Sequence, residues 1–141
     1  MNISKPSLLL LTFTVVLFSC KAPKPDNQTT ESVISEDVQV YYFHNTKRCA
    51  TCNAVENETR VAMEMYYQEH MQDGQMGFIS LNLEEEKGKE MAKSLQVSGQ
   101  ALLIVKGDSR INLTNEGFMN ARSNPAKFHE ILKARIDNLL L

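Results

Sequence analysis

Cys49 and Cys52, in the run Cys49-Ala50-Thr51-Cys52, are the residues of this chain best suited to covalent chemistry. Two thiols at this spacing can close a disulfide, pass one on through a mixed disulfide, or hold a soft metal ion. The run follows a strand-like segment, Val38 to His44, and opens a helical pattern. That junction sets the first thiol beside the free N–H groups of a helix start. The helix dipole there favours a thiolate by roughly 0.3 to 2 kcal/mol. Cys49 is therefore the expected attacking thiol, and Lys47 and Arg48 add positive charge beside it. Cys52, one turn further on, shares its helix face and is placed to resolve a mixed disulfide. Thr51 offers a hydroxyl near the sulfurs. His44, at the end of the strand, carries the side-chain type suited to relaying a proton near neutral pH.

Two other readings stay open at this level. The thiolates, with His44 as a third ligand, suit Cu(I), Zn or a trivalent arsenic species. Against this, no second C-x-x-C completes a structural zinc site. Alternatively, the domain is a non-catalytic accessory subunit in which the cysteines are inert. A ring so short constrains little of the unfolded chain and makes a poor staple.

The elements that must position these residues alternate along the chain. Val38–His44 is apolar on both faces, and Cys49 to about Met71 repeats Cys52, Val55, Thr59, Ala62 and Tyr66 at helical spacing up to Asp73-Gly74. Met76–Leu83 alternates as a second strand, and Lys87–Leu95 is a short amphipathic helix. Ala101–Val105 is apolar throughout, Lys106–Ser109 turns the chain, and Arg110–Leu113 alternates again. Ser123-Asn124-Pro125 starts a last helix, with Phe128, Leu132, Ile136 and Leu139 as its buried stripe. Strands apolar on both faces belong inside a sheet and alternating ones at its edges. The first strand–helix–strand unit is a right-handed parallel crossover, and the hairpin is antiparallel. The expected result is an α/β fold: a four-stranded mixed sheet in order 2-1-3-4 with helices on both faces.

The amino end is read differently. Residues 1–19 hold one cation, Lys5, and a largely apolar, uncharged run of eleven, Leu8 to Phe18. That run is too short to span a bilayer and has the length of a signal-peptide core. Leu17-Phe18-Ser19-Cys20 resembles the bacterial lipobox, which implies lipidation of Cys20. Using Cys20 for lipid leaves Cys49 and Cys52 as the one pair among three cysteines. Residues 20–36 carry two prolines among Asn, Gln, Thr and Ser and read as a flexible tether. Residues 37–141 are long enough for one domain with one core. Net charge is −2, or −3 without Lys5, and with no basic face nucleic acid is excluded as a partner.

In three linked places the body resembles the thioredoxin-like superfamily. These are the strand with Cys49-Ala50-Thr51-Cys52, then Phe78-Ile79-Ser80-Leu81-Asn82-Leu83 with the acidic run after it, then Val97 to Gly107. More narrowly, it is similar to small bacterial lipoproteins labelled nitrophenyl compound nitroreductase subunits. The resemblance implies a three-layer thioredoxin-like sandwich. It also implies a lipid-anchored envelope protein, facing the periplasm or cell surface, that exchanges disulfides with a partner protein. Nothing in the chain reads as a flavin or nicotinamide site, so no cofactor is expected. Two departures are visible. The place of the superfamily's cis-proline falls on Ala101, whose peptide is expected to be trans because a non-proline cis bond costs ~3 kcal/mol. The superfamily's buried strand carboxylate has no counterpart, since Phe43 or His44 lies there.

The remaining features take structural readings. Met63, Met65, Met71, Met76, Met91 and Met119 are expected to fill gaps in the core. His70 and His129 are expected on helix surfaces. Glu84-Glu85-Glu86 is expected as a solvated helix start. Glu116 to Arg122 reads as a packed link between the fourth strand and the last helix.

Overall fold

The computed structural model describes residues 37–141, so the segments expected as signal and tether, and Cys20, lie outside the described residues. The elements are β1 (Val38–His44), α1 (Ala50–Gln72), β2 (Met76–Asn82), α2 (Glu86–Ser94), β3 (Ala101–Lys106), β4 (Ser109–Asn112), α3 (Thr114–Asn120) and α4 (Pro125–Leu140). One sheet runs in the order β2-β1-β3-β4. Strand β1 pairs parallel with β2, from Val38 opposite Met76 to His44 opposite Asn82. It pairs antiparallel with β3, which sets Phe43 opposite Ala101. The β3–β4 pair is antiparallel and closes with Lys106 opposite Ser109. The expected fold class and strand order are both observed.

Strand alternation divides the core into two layers. Val38, Val40, Tyr42, Leu102 and Ile104 face one way and pack with Val55, Ala62 and Met63 of α1 and Phe128, Leu132 and Ile136 of α4. Tyr41, Phe43, Leu81, Leu103 and Val105 face the other way, against Ala92 of α2 and Leu95 just after it. Central strands β1 and β3 are thus buried on both faces, while the edge strand β4 is largely exposed. Helix α2 sits tight on the end of β2 because Gly88 lacks a side chain; a Cβ there would overlap the Asn82 carbonyl. Gly107, at φ +54°, makes the hairpin turn in a region that glycine enters without strain.

Three local expectations are revised. The packed link around Glu116 to Arg122 is largely helical, within α3, whose Gly117 lets it approach Val55 of α1 and Leu102. His129 is not on the surface: it is 8% exposed, with Nε2 2.8 Å from Glu58 Oε2 across the α1–α4 contact. Of the methionines, Met63 and Met76 are in the core and Met71 and Met91 pack against it, but Met65 and Met119 are exposed. Helix α1 is also interrupted at Tyr67 (φ −133°, ψ 21°), whose hydroxyl donates to Asp137 of α4 at 2.7 Å.

Candidate thiol–disulfide site

The chain leaves the buried strand β1 at His44, crosses Asn45–Arg48 and enters α1 at Cys49. Several contacts hold this short loop. The Leu83 amide donates to the His44 carbonyl at 2.8 Å. The Thr46 amide donates to Glu84 Oε1 at 3.1 Å, and Asn82 Nδ2 donates to Thr46 Oγ1 at 2.9 Å. The acidic run expected as solvated helix start therefore also ties down the loop that delivers the cysteine.

Cys49 is the N-cap of α1, with extended backbone (φ −81°, ψ 166°). Its Sγ accepts the backbone N–H of Cys52 at 3.1 Å. A sulfur thus does what a serine or aspartate oxygen does at most helix starts. The first turn of α1 holds no acidic residue, so nothing within it offsets the positive end of the helix dipole. Cys49 and Cys52 are disulfide-bonded, with Cα atoms 5.1 Å apart. They differ sharply in access: Cys49 is exposed and Cys52 is 4% exposed. An incoming sulfur can reach the first and not the second.

Beneath the turn lies a polar cluster. The buried Tyr42 hydroxyl donates to the Cys52 carbonyl at 3.0 Å. Burial raises the pKa of this phenol, with Glu56 adding to the rise against an opposing effect of Arg48, so it stays a donor. The Arg48 guanidinium lies 5.7 Å from the Tyr42 ring centroid and is ion-paired with Glu56. Glu56 also takes Arg60 Nη2 at 3.2 Å. Burial pushes the Glu56 carboxyl up. The hydrogen bond and charge of Arg48, with the charge of His44, outweigh that and hold it below its ordinary value.

The other residues marked in the sequence lie as follows. Lys47 is exposed in the loop and Thr51 is half-buried in the first turn. Arg48 is turned back to Glu56 rather than left in solution. His44 is half-buried on the α1 face, 5.9 Å ring to ring from Tyr42, with Nδ1 3.0 Å from the Asn45 carbonyl. Among the described residues no three His, Cys, Asp or Glu side chains gather as a metal site. Ala101 is buried at the start of β3, beside the strand end that feeds the cysteine loop. Its peptide is trans, as expected: among the described residues no bond is cis. Leu95 to Ala101 also wall a cavity of about 740 Å³, completed by Arg110 and Asn112 of β4 and Thr114 of α3.

Tyr42 and Glu56 were not legible as site residues. Tyr42 reads only as a strand apolar residue. For Glu56 a signal exists: it follows Cys52 by one helical turn and so shares its face.

No protein-family model matches the chain, and no curated protein matches it. Among solved structures, a chain described as "Structure of a malarial protein" is similar at 16% identity with a TM-score of 0.40. The match covers 64% of this chain and 98% of that one. A likeness of this strength carries no argument about fold or function.

Proposed function

We propose that this domain carries out thiol–disulfide exchange with a partner protein. The observation that carries the reading is the division of labour at the start of α1. Cys49 offers an exposed sulfur already accepting a backbone N–H, and Cys52 lies buried within bonding reach of it. The dithiol form would act in two steps. The Cys49 thiolate attacks one sulfur of a partner disulfide, forming a mixed disulfide and expelling the other partner sulfur as a thiolate. Cys52 then loses its proton to solvent and attacks Cys49. The second partner thiolate leaves and the Cys49–Cys52 disulfide closes, so two electrons pass to the partner. The reverse sequence oxidises a partner dithiol.

The resemblance to thioredoxin-like lipoproteins supports a bacterial envelope setting, with Cys20 lipidated and residues 20–36 as tether. In such a compartment no glutathione pool holds the pair reduced. The test is Cys52→Ser in the full chain, expressed in a bacterial envelope. An adduct linked through Cys49, separable on a non-reducing gel and absent from the double Ser variant, is the expected result. Absence of any adduct, with tight stoichiometric binding of Cu(I) or Zn by the reduced wild type, would replace this reading with metal handling.

A further inference from the structure

The cation next to the attacking thiol is not used as its position suggests. Arg48 immediately precedes Cys49, yet its guanidinium is folded back over Tyr42 and paired with Glu56. The two side chains are only 22% and 14% exposed, so solvent screens the pair weakly. Glu56 stands one turn beyond Cys52, and Tyr42, under the guanidinium, bonds the Cys52 carbonyl. Arg48, Glu56 and Tyr42 thus form one connected set of contacts that reaches the first turn of α1 at the Cys52 carbonyl. Arg48 Nε is buried and, among the described residues, makes no hydrogen bond. The guanidinium therefore keeps one donor unspent.

We propose that Glu56 is a positioning residue that withholds the Arg48 charge from the Cys49 sulfur and so sets how oxidising the pair is. The inference rests on the exchange reading above. A full positive charge beside Cys49 stabilises its thiolate, hence the dithiol form, hence a stronger oxidant. An Arg–carboxylate ion pair offsets that charge, and the field of the paired charges falls off faster than that of a lone cation. The other charged or titratable groups around the site are Lys47 in the loop, His44 at the end of β1, Glu84 after β2 and Arg60 further along α1. Glu84 is engaged with the Thr46 amide and Arg60 with Glu56 itself. Arg48 is then the cation that a single carboxylate controls.

The experiment measures the equilibrium of the Cys49–Cys52 pair with reduced and oxidised glutathione at about pH 8.5, where a thiol at a helix start is largely ionised. Glu56→Gln releases the guanidinium and should favour the dithiol about tenfold, a rise of about 30 mV in potential. Arg48→Gln leaves the carboxylate, one turn beyond Cys52, with the half-exposed Arg60 as its remaining partner and should favour the disulfide several-fold. The double variant should return to within about twofold of wild type. Arg48→Lys keeps the charge on a flexible ammonium that holds the carboxylate less firmly and should move as Glu56→Gln does, by less; it decides the matter if a neutral variant does not fold. Single variants that shift in the same direction, or by less than twofold, overturn the proposal, since a merely structural pair would weaken folding without opposite shifts in potential. A wild-type pair that never equilibrates with glutathione sinks the exchange reading, and this one with it.

Discussion

The backbone N–H of Cys52 donates to the sulfur of Cys49 at 3.1 Å, so one side chain both caps helix α1 and presents the exposed thiol. Stability and chemistry are coupled at that atom. Cys49→Ser should keep the cap and abolish exchange. Cys49→Ala should abolish exchange and also cost about 1 kcal/mol of folding free energy, the usual loss on removing a cap. Denaturant unfolding of both variants against reduced wild type checks this, the reduced form being chosen so that loss of the disulfide does not confound the comparison.

Tyr42→Phe removes the donor to the Cys52 carbonyl and leaves the ring beneath Arg48. A net loss of about 0.5–1.5 kcal/mol is expected. The first turn of α1 should loosen with it, measured as faster amide hydrogen exchange there.

Glu56 gives the fold an acid-sensitive component. Its pKa in the fold lies below the ordinary value of 4.5 through Arg48, in spite of burial. A carboxyl with a depressed pKa stabilises the fold above its unfolded value and loses that contribution as pH falls through the folded one. Unfolding free energy should therefore drop on acidification below about pH 4.5, and part of the drop should vanish in Glu56→Gln.

Gly88→Ala should destabilise by about 1–3 kcal/mol, the range for overpacking, because its Cβ meets backbone that cannot rotate away. Leu132→Ala, a cavity-forming change at a fully buried site of α4, should cost about 2–5 kcal/mol. Thermal melts of both report on the layers either side of the sheet.

What could be read from the residues followed from local signals. β1 and β3 are apolar on both faces, which assigned them to the middle of the sheet, and Asn124-Pro125 marked the start of α4. Helix α3 was missed because it spans only seven residues with Gly117 inside, a weak helical signal. Burial of His129 depends on Glu58, 71 positions away, and the turn of Arg48 depends on Glu56 eight positions on. Such pairings are made by the packing of α1 against α4 and against its own entry loop, and residue types alone do not specify them.

The most direct test of the account is the rate at which each cysteine of the reduced domain is alkylated by iodoacetamide at neutral pH, resolved by mass spectrometry. Cys49 should react at least tenfold faster than Cys52, and faster than a cysteine in an unstructured peptide. Equal rates, or a faster Cys52, would contradict an exposed and activated sulfur at the start of α1.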